Sequence, residues 1–114
     1  MKVIYVAGPY RADTGLEVSR NVHRAAAEAA ELLYAHGLAV ICPHSMSHGW
    51  EGHSDYTPER TLKHCCELVR RCDALLLMRG WQRSEGSVAE RDVALEAGIP
   101  VFVSRKKLLE WAEA

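Results

Sequence analysis

The sequence predicts an α/β protein built on an open parallel sheet of about four strands, in the order 2-1-3-4, with helices on both faces. Short apolar runs of strand length alternate along the chain with segments in which apolar residues recur at helical spacing. The runs are apolar on both of their faces, as strands of a parallel sheet are when helices cover each side. With right-handed crossovers, this alternation gives a single Rossmann-like or flavodoxin-like domain over residues 1–114.

The first strand and the first helix occupy the N-terminal third of the chain. Residues 2–7 form a β-branched apolar run that Gly8-Pro9 ends. A helix is expected from about Ser19, because apolar residues then recur every third or fourth position. Gly37 ends this helix, since glycine readily supplies a left-handed C-terminal cap.

A polar loop separates the second strand from the second helix. Residues 38–42 form the strand, and residues 44–56 form a loop rich in His, Ser and Gly. Thr57 and Pro58 then supply an N-terminal cap and a proline at the first helical position. A helix is therefore expected from this point to about Arg71.

The C-terminal part of the chain repeats the strand and helix pattern twice. Residues 73–78 form a third strand that is apolar on both faces, and a helix starting at residue 84 or 87 follows it to residue 97. Residues 101–103 form the fourth strand, and residues 106–112 form a short last helix.

The composition excludes several classes of partner. The 114 residues carry 14 Lys and Arg against 15 Asp and Glu, so there is no basic excess and we expect no binding to a nucleic-acid polymer. No run approaches the roughly 20 apolar residues of a membrane span, and the N-terminal apolar run is too short for a signal peptide. We therefore expect no membrane association and a cytoplasmic location.

The cysteines fit a reducing compartment. Cys65 and Cys66 are adjacent and share helical spacing with Leu62 and Val69. This pattern indicates reduced thiols packed in a core rather than disulfides.

Neither a metal nor another cofactor is expected. The candidate metal ligands are Cys42, His44, His48 and His53. These residues lack the paired spacing of a zinc site. No glycine-rich dinucleotide fingerprint follows the first strand, and the chain has no phosphate-binding loop of the NTPase type.

Three loops should meet at the carboxyl edge of the sheet, where the winding reverses between the first and third strands and where such folds bind ligands. They are Gly8-Pro9-Tyr10-Arg11, Pro43-His44 and residues 79–86. Arg11 is suited to hold a phosphate or a carboxylate through two hydrogen bonds. The Gly-Pro pair is also compatible with a simple turn, so both interpretations stay open.

Glu90 is a carboxylate on a helix face where small apolar residues, such as Ala94, should pack on the sheet. Two explanations are open. Ser87 and Glu90 fit a capping box, in which the glutamate reaches back to the N-cap amide. Alternatively, Glu90 lies in the first turn of its helix and does chemistry at the crevice. Tyr5 is then a candidate partner, because a buried phenol needs a hydrogen bond.

Two motifs frame this crevice: Tyr5-Val6-Ala7-Gly8-Pro9-Tyr10-Arg11 near the start of the chain and Ser84-x-Gly86-x-x-x-Glu90 near its end. Together they resemble the nucleoside 2-deoxyribosyltransferase superfamily, including its nucleotide N-glycosidase branch. The pattern is similar to that of small members found in phages and bacteria, and the resemblance covers nearly the whole chain in element order.

The resemblance implies that Glu90 is the nucleophile that attacks C1′ of a sugar, and that Tyr5 hydrogen-bonds and orients it. It also implies a nucleoside 5′-monophosphate as substrate, because members that accept a phosphate have serine at the position of Ser84. The remaining residues expected around the phosphate, sugar or base are Gly8, Pro9, Tyr10, Arg11, His44, Trp81 and Gly86. The helix N-terminus should favour the ionised form of Glu90.

One position departs from the better-known members of the superfamily. Their aspartate near the sugar or base falls on Cys65 here, and His44, His64 and Glu67 are candidate substitutes. A non-catalytic nucleotide-binding module or an interaction domain on the same fold therefore stays as an alternative to a hydrolase or transferase.

An apolar face on the same C-terminal helix suggests a subunit contact. Val88 and Leu95 lie opposite the side that packs on the sheet. Apolar residues on an outer helix face indicate burial against a second copy, so we expect a homodimer or a larger homo-oligomer.

Overall fold

A computed structural model describes residues 1–47 and 49–114 and confirms the predicted sheet. Four parallel strands lie in the order β2-β1-β3-β4. Their bounds are β1 (Val3–Ala7), β2 (Ala39–Ile41), β3 (Ala74–Leu77) and β4 (Val101–Phe102). The two central strands pair with Tyr5 opposite Leu75, so their carboxyl ends meet at the middle of one edge of the sheet.

Helices connect these strands as the sequence predicts. Within the described residues they are α1 (Gly15–His36), α2 (Pro43–Met46), α3 (Pro58–Arg70), α4 (Glu85–Glu96) and α5 (Arg105–Glu113). Short 3₁₀ turns at Trp50–Gly52 and Trp81–Arg83 precede α3 and α4. No helix in the described part of the chain has the length and apolar character needed to cross a membrane.

The helices cover both faces of the sheet. On one face, Val69 of α3 and Ala94 of α4 pack in the same buried cluster as Tyr5. On the other face, Leu32 of α1 and Leu108 of α5 pack on the sheet. Burying one such leucine contributes about 2 kcal/mol. These two apolar layers hold the loops of the carboxyl edge in fixed positions. The four cysteines are buried free thiols.

α1 begins before Ser19, where the apolar periodicity starts. Thr14 is its N-cap, and the Thr14 hydroxyl accepts a hydrogen bond from the backbone N–H of Glu17. The Thr-x-x-Glu pattern of a capping box marks this start. α1 therefore has 22 residues and is about 33 Å long, whereas the five residues of β1 span about 17 Å. The N-terminal half of α1 consequently forms a wall above the carboxyl edge of the sheet.

The segment expected as a loop after β2 contains a short helix. α2 begins at Pro43, whose ring fits the first position of a helix. The expectation of a loop throughout residues 44–56 is therefore wrong for the part that belongs to α2. His48, one of the metal-ligand candidates, lies outside the described residues.

Candidate functional site

A cavity of about 1080 Å³ opens at the carboxyl edge of the sheet. Its walls come from the loop after β1, from the segment that begins with α2, from the turn after β3 and from the N-terminal ends of α1, α3 and α4. The expected site residues that line it are Gly8, Pro9, Tyr10, Arg11, His44, Ser84, Gly86 and Glu90. The three loops predicted to converge are thus brought to one cavity.

Glu90 is buried in the wall of this cavity and is hydrogen-bonded to Tyr5. The Tyr5 hydroxyl, at the centre of β1, donates to the Oε2 atom of Glu90. Tyr5 is completely buried and Glu90 is only 7% exposed. The second carboxylate oxygen, Oε1, has no hydrogen-bond partner among the described residues. It is therefore available to a bound molecule.

Burial and the phenol have opposite effects on the acidity of Glu90. Removal from water raises the Glu90 pKa to about 7, and the hydrogen bond from Tyr5 acts in the lowering direction. The pKa of Tyr5 is raised, first by its own burial and then by the nearby Glu90 charge. Tyr5 thus keeps its proton and stays a donor, while Glu90 changes its charge near neutral pH.

The capping-box explanation for Glu90 is wrong. Ser84, not Ser87, is the N-cap of α4, and its hydroxyl accepts a hydrogen bond from the backbone N–H of Ser87. Glu90 is the sixth residue of α4, counted from Glu85, and so lies in the second turn rather than the first. The helix dipole acts mainly within the first turn, so the expectation that it favours the ionised form is also wrong. Burial dominates instead.

The first turn of α4 offers polar groups to the cavity. Ser84 and Gly86 both line the cavity, and a Cβ atom on Gly86 would meet nothing closer than 3.9 Å. Ser87 is 1% exposed and lines the cavity one turn before Glu90. Sequence reasoning weighed Ser87 only as a cap, although its spacing of three from Glu90 places both on one helix face. Backbone N–H groups in a first helical turn favour an anion.

The loop after β1 packs tightly against the end of β3. A Cβ atom on Gly8 would lie 2.9 Å from the Cβ of Met78, so only glycine fits without a backbone shift. The Met78 N–H donates to the carbonyl of Ala7, with 2.7 Å between nitrogen and oxygen. This close approach fixes the direction in which the chain leaves β1 and places Pro9 over the turn at Gly80.

Arg11 and Tyr10 connect this loop to the segment that follows α2. The Arg11 guanidinium donates to the Tyr56 hydroxyl at 3.2 Å, and the Tyr10 hydroxyl donates to Glu51 at the same distance. Both contacts are exposed to solvent. Tyr56 and Arg11 both line the cavity, so the end of this segment lies beside it.

His44 links the loop after β1 to the loop after β2. Its Nε2 atom donates to the carbonyl of Pro9 at 2.9 Å, and its ring lies 5.7 Å from the ring of Tyr10. Its buried Nδ1 has no hydrogen-bond partner among the described residues. Burial lowers the pKa of His44, so the neutral ring carries its proton on Nε2. His44 therefore positions the loop that lines the cavity.

Trp81 does not line the cavity, contrary to the expectation that it contacts the base or the sugar. Its ring packs against the buried cluster under α4, and the Arg91 guanidinium lies 5.0 Å from the ring centroid. The sequence does not indicate to which side of the turn a tryptophan after a strand directs its ring. Here the 3₁₀ turn directs it toward the core side of α4.

Of the residues considered in place of the family aspartate, two lie away from the cavity. Glu67 is exposed and pairs with Arg71 at 2.9 Å, and the His64 ring packs against Trp50. Cys65, at the departing position, does line the cavity and is 6% exposed. Burial raises the pKa of its thiol, so it stays protonated at neutral pH.

Several cavity residues on α1 and on the turn after β3 were not identified as candidates from the sequence. They are Arg20, Asn21, Arg24 and Arg83. The signal available for two of them was the spacing of four between Arg20 and Arg24, which puts both on one side of a helix. Both residues lie within the helix expected from about Ser19, but hydrophobic periodicity reports only the apolar face of a helix and not its charged one. No cluster of three or more potential metal ligands occurs within residues 1–47 and 49–114.

A known protein family matches most of the chain. A family described as a domain of unknown function, DUF4406, matches residues 2–103. None of the curated protein sequences compared with the chain is significantly similar to it.

Solved structures with the same fold include two 2-deoxyribosyltransferases. One, from Bacillus psychrosaccharolyticus, is 20% identical with a TM-score of 0.61, and the match covers 87% of this chain and 69% of the other. The other, from Leishmania mexicana, is 20% identical with a TM-score of 0.53, covering 89% of this chain and 62%, less than two thirds, of the other. BlsM is 19% identical with a TM-score of 0.60, covering 96% and 69%. These likenesses confirm the predicted fold.

Proposed function

The chain belongs to the DUF4406 family and has the fold of the 2-deoxyribosyltransferases; from this premise we propose that it cleaves the N-glycosidic bond of a nucleoside 5′-monophosphate, as a hydrolase or as a transferase. The observation that carries the proposal is the buried Glu90 carboxylate, held by the Tyr5 hydroxyl in the wall of a cavity large enough for a nucleotide.

Glu90 acts as the nucleophile. Its free Oε1 forms a bond to C1′ while the bond from C1′ to the base nitrogen breaks, and the bonding electron pair leaves with the base. The reaction passes through an oxocarbenium-like state, which a neighbouring carboxylate stabilises. The departing base takes up a proton from water in the open cavity. Water or a second base then attacks C1′, and the Glu90 carboxylate is released.

Tyr5 positions this nucleophile. Its hydroxyl holds Oε2, which leaves Oε1 for the attack on C1′, and it favours the charged form that attack requires. The raised pKa of Tyr5 keeps the hydroxyl protonated throughout the reaction.

The phosphate is held at the start of α4. Ser84, Gly86 and Ser87 present hydroxyl and backbone groups of a first helical turn, and Arg11 supplies positive charge at the cavity mouth. No acidic side chain occupies the position of Ser84, where it would repel the phosphate. The proposed substrate is therefore a nucleotide rather than a free nucleoside.

The decisive experiment is base release by the native protein and by Glu90→Gln. A panel of ribonucleoside and deoxyribonucleoside 5′-monophosphates is incubated with each protein, and liberated base is quantified by chromatography. We expect release by the native protein and a loss of at least about 10³-fold in Glu90→Gln, because the nucleophile is removed. Glu67→Gln, which changes an exposed glutamate on α3, is the matched control and should keep native activity.

The alternative, a nucleotide-binding module without catalysis, gives a different result in the same experiment. It predicts no base release from any nucleotide by the native protein, while calorimetry still detects nucleotide binding. Absence of both release and binding would instead favour an interaction domain on this fold.

A further inference from the structure

Two arginines converge on the turn after β3, on the side of the cavity formed by α1. The Arg24 Nη2 atom donates to the backbone carbonyl of Arg79 at 3.4 Å. The Nη2 atom of Arg83 lies 3.3 Å from the place where a Cβ on Gly80 would sit. Guanidinium groups from two separate elements therefore meet at two consecutive backbone residues, and both arginines line the cavity.

Neither guanidinium group has a carboxylate partner in the described part of the chain. Within the described residues, no carboxylate oxygen lies within 4.0 Å of Arg24, Arg83 or Arg20, which lines the cavity one turn before Arg24. Four arginines elsewhere are ion-paired: Arg70 and Arg71 with Glu67, Arg91 with Asp92, and Arg105 with Glu28. The carboxylates that also line the cavity are Asp13, Glu17, Glu59, Glu85 and Glu90. None of them neutralises the three guanidinium groups by direct contact.

Gly80, in the turn after β3, leaves space for the Arg83 guanidinium because it has no side chain. Gly80 has φ +91°, a conformation that favours glycine, and a Cβ at this position would lie 3.1 Å from the Pro9 ring as well as close to Arg83. The positive charge of Arg24 also affects the buried His44. The pKa of His44 is lowered chiefly by burial and additionally by the charge of Arg24.

The cavity reaches from the first turn of α4 to the turn after β3. At about 1080 Å³ it slightly exceeds the range of about 300 to 1,000 Å³ that is usual for small-molecule sites. The phosphate of the proposed substrate is assigned to the first turn of α4, whereas the guanidinium pair lies at the turn that precedes that helix. Arg83 immediately precedes Ser84, so the two positions are neighbours within one continuous cavity.

We propose that Arg24 and Arg83, assisted by Arg20, form a second phosphate-binding subsite next to the one at the start of α4. Arginine suits this task, because its planar fork binds two phosphate oxygens at once. The phosphate is either the terminal group of a nucleoside 5′-diphosphate or a free phosphate bound beside a monophosphate. The subsite extends the proposed substrate class, and its existence does not depend on chemistry at Glu90.

The test measures binding by calorimetry in the Glu90→Gln background, in which turnover is absent. The probes are matched 5′-mono- and 5′-diphosphates of the common deoxynucleosides, and inorganic phosphate added to protein saturated with monophosphate. The double variant Arg24→Gln/Arg83→Gln is compared with Arg70→Gln, an exposed arginine on α3 outside the cavity. The Arg24 and Arg83 side chains are both exposed, so the double variant should keep the native fold.

We expect diphosphate affinity to exceed monophosphate affinity and to fall by about tenfold or more in the double variant, since charge-assisted hydrogen bonds are lost. Monophosphate affinity should stay within about twofold, and Arg70→Gln should change neither. Saturable binding of inorganic phosphate beside the monophosphate, lost in the double variant, would identify free phosphate as the source. Equal losses for mono- and diphosphate, unchanged affinities in the double variant, or no binding of any probe overturn the proposal. Absence of base release by the native protein would refute the proposed function only.

Discussion

Tyr5 in the middle of β1 donates a hydrogen bond to Glu90 in the second turn of α4, although the two residues are 85 positions apart in the sequence. The bond fixes the rotation of α4 about its axis relative to the sheet, because it joins the centre of a strand to one face of the helix. It also places a titratable carboxylate beside an open cavity with its proton affinity near neutrality. Architecture and chemistry thus depend on the same contact.

The rate of base release should rise with pH and then level off. Attack on C1′ needs ionised Glu90, whose pKa is about 7 because of burial. Below that pH, kcat/KM should fall by about tenfold per pH unit, and above it the rate should be constant. Initial rates between pH 5 and pH 9, with the stability of the protein checked at each pH, measure this. A rate that is flat through neutrality contradicts the assignment of Glu90 as the attacking group.

Tyr5→Phe should shift the midpoint of that pH profile to higher pH. Removing the donor withdraws a hydrogen bond that favours the charged carboxylate, a contribution of about 1.5 to 3 kcal/mol, which corresponds to about one to two pKa units. Activity at pH 7 should therefore fall, and part of it should return at pH 9. Tyr34→Phe is the matched control, since Tyr34 is 85% exposed on α1. If the profile keeps its midpoint in Tyr5→Phe, the phenol is structural only.

Glu90→Gln should stabilise the protein at alkaline pH and not at acidic pH. Below pH 4.5 the carboxyl is protonated in the folded and the unfolded states, so it contributes no penalty. Between pH 4.5 and about 7 only the unfolded state ionises, and native stability falls by about 3 kcal/mol in total. The penalty is then constant at higher pH.

Glutamine carries no charge and avoids this loss. Urea unfolding at pH 4 and pH 8 gives the comparison, and only the pH 8 difference should favour Glu90→Gln. Glu67→Gln, at an exposed and ion-paired position, should show no such gain. Equal effects at both pH values would mean that packing, not charge burial, distinguishes the variant.

Gly8→Ala should destabilise the protein, whereas Gly15→Ala should not. The new Cβ on Gly8 would lie 2.9 Å from the Met78 Cβ, which forces the loop after β1 or the end of β3 to move. Such overpacking costs about 1 to 3 kcal/mol. Gly15, at the start of α1, has no heavy atom within 4 Å of its would-be Cβ, and alanine favours the helix. Thermal unfolding of both variants decides the matter, and a Gly8→Ala midpoint equal to the native one would refute the close packing.

The strands and helices were predictable because apolar runs and helical periodicity report directly on what is buried, and the order of the strands then follows from right-handed crossovers in a parallel sheet. The sheet, the caps at Thr57 and Gly37, and the inward direction of Glu90 all follow from such patterns. The start of α1 was missed because its first turn is largely exposed, with Leu16 62% exposed, and so does not continue the buried apolar stripe. Thr14 and Glu17 specify that start through a local hydrogen bond, and hydrophobic periodicity does not report it.

The site residues whose position follows from the backbone topology were predictable. Those whose position depends on the direction of a side chain were not. The loop from Gly8 to Arg11 reaches the cavity because every residue after a central strand must leave at that edge. Trp81 also follows a strand, but its 3₁₀ turn points the ring to the core side of α4. Ser84, rather than Ser87, caps α4, since either serine satisfies the sequence pattern and only packing selects one.

A homo-oligomer that uses α4 remains a proposal, and Leu95 is the residue that tests it. Leu95 is 58% exposed on the outer side of α4, and Val88 lies two turns before it. Burying a leucine of this kind between subunits is favourable by about 2 kcal/mol per copy. Light scattering at micromolar concentration should therefore give a dimer or larger mass for the native protein and a monomer for Leu95→Glu. Tyr34→Ser, which removes an exposed aromatic from α1, is the control and should leave the native mass unchanged. A monomeric native protein contradicts the proposal itself, while an oligomeric Leu95→Glu variant shows that the contact lies elsewhere than α4.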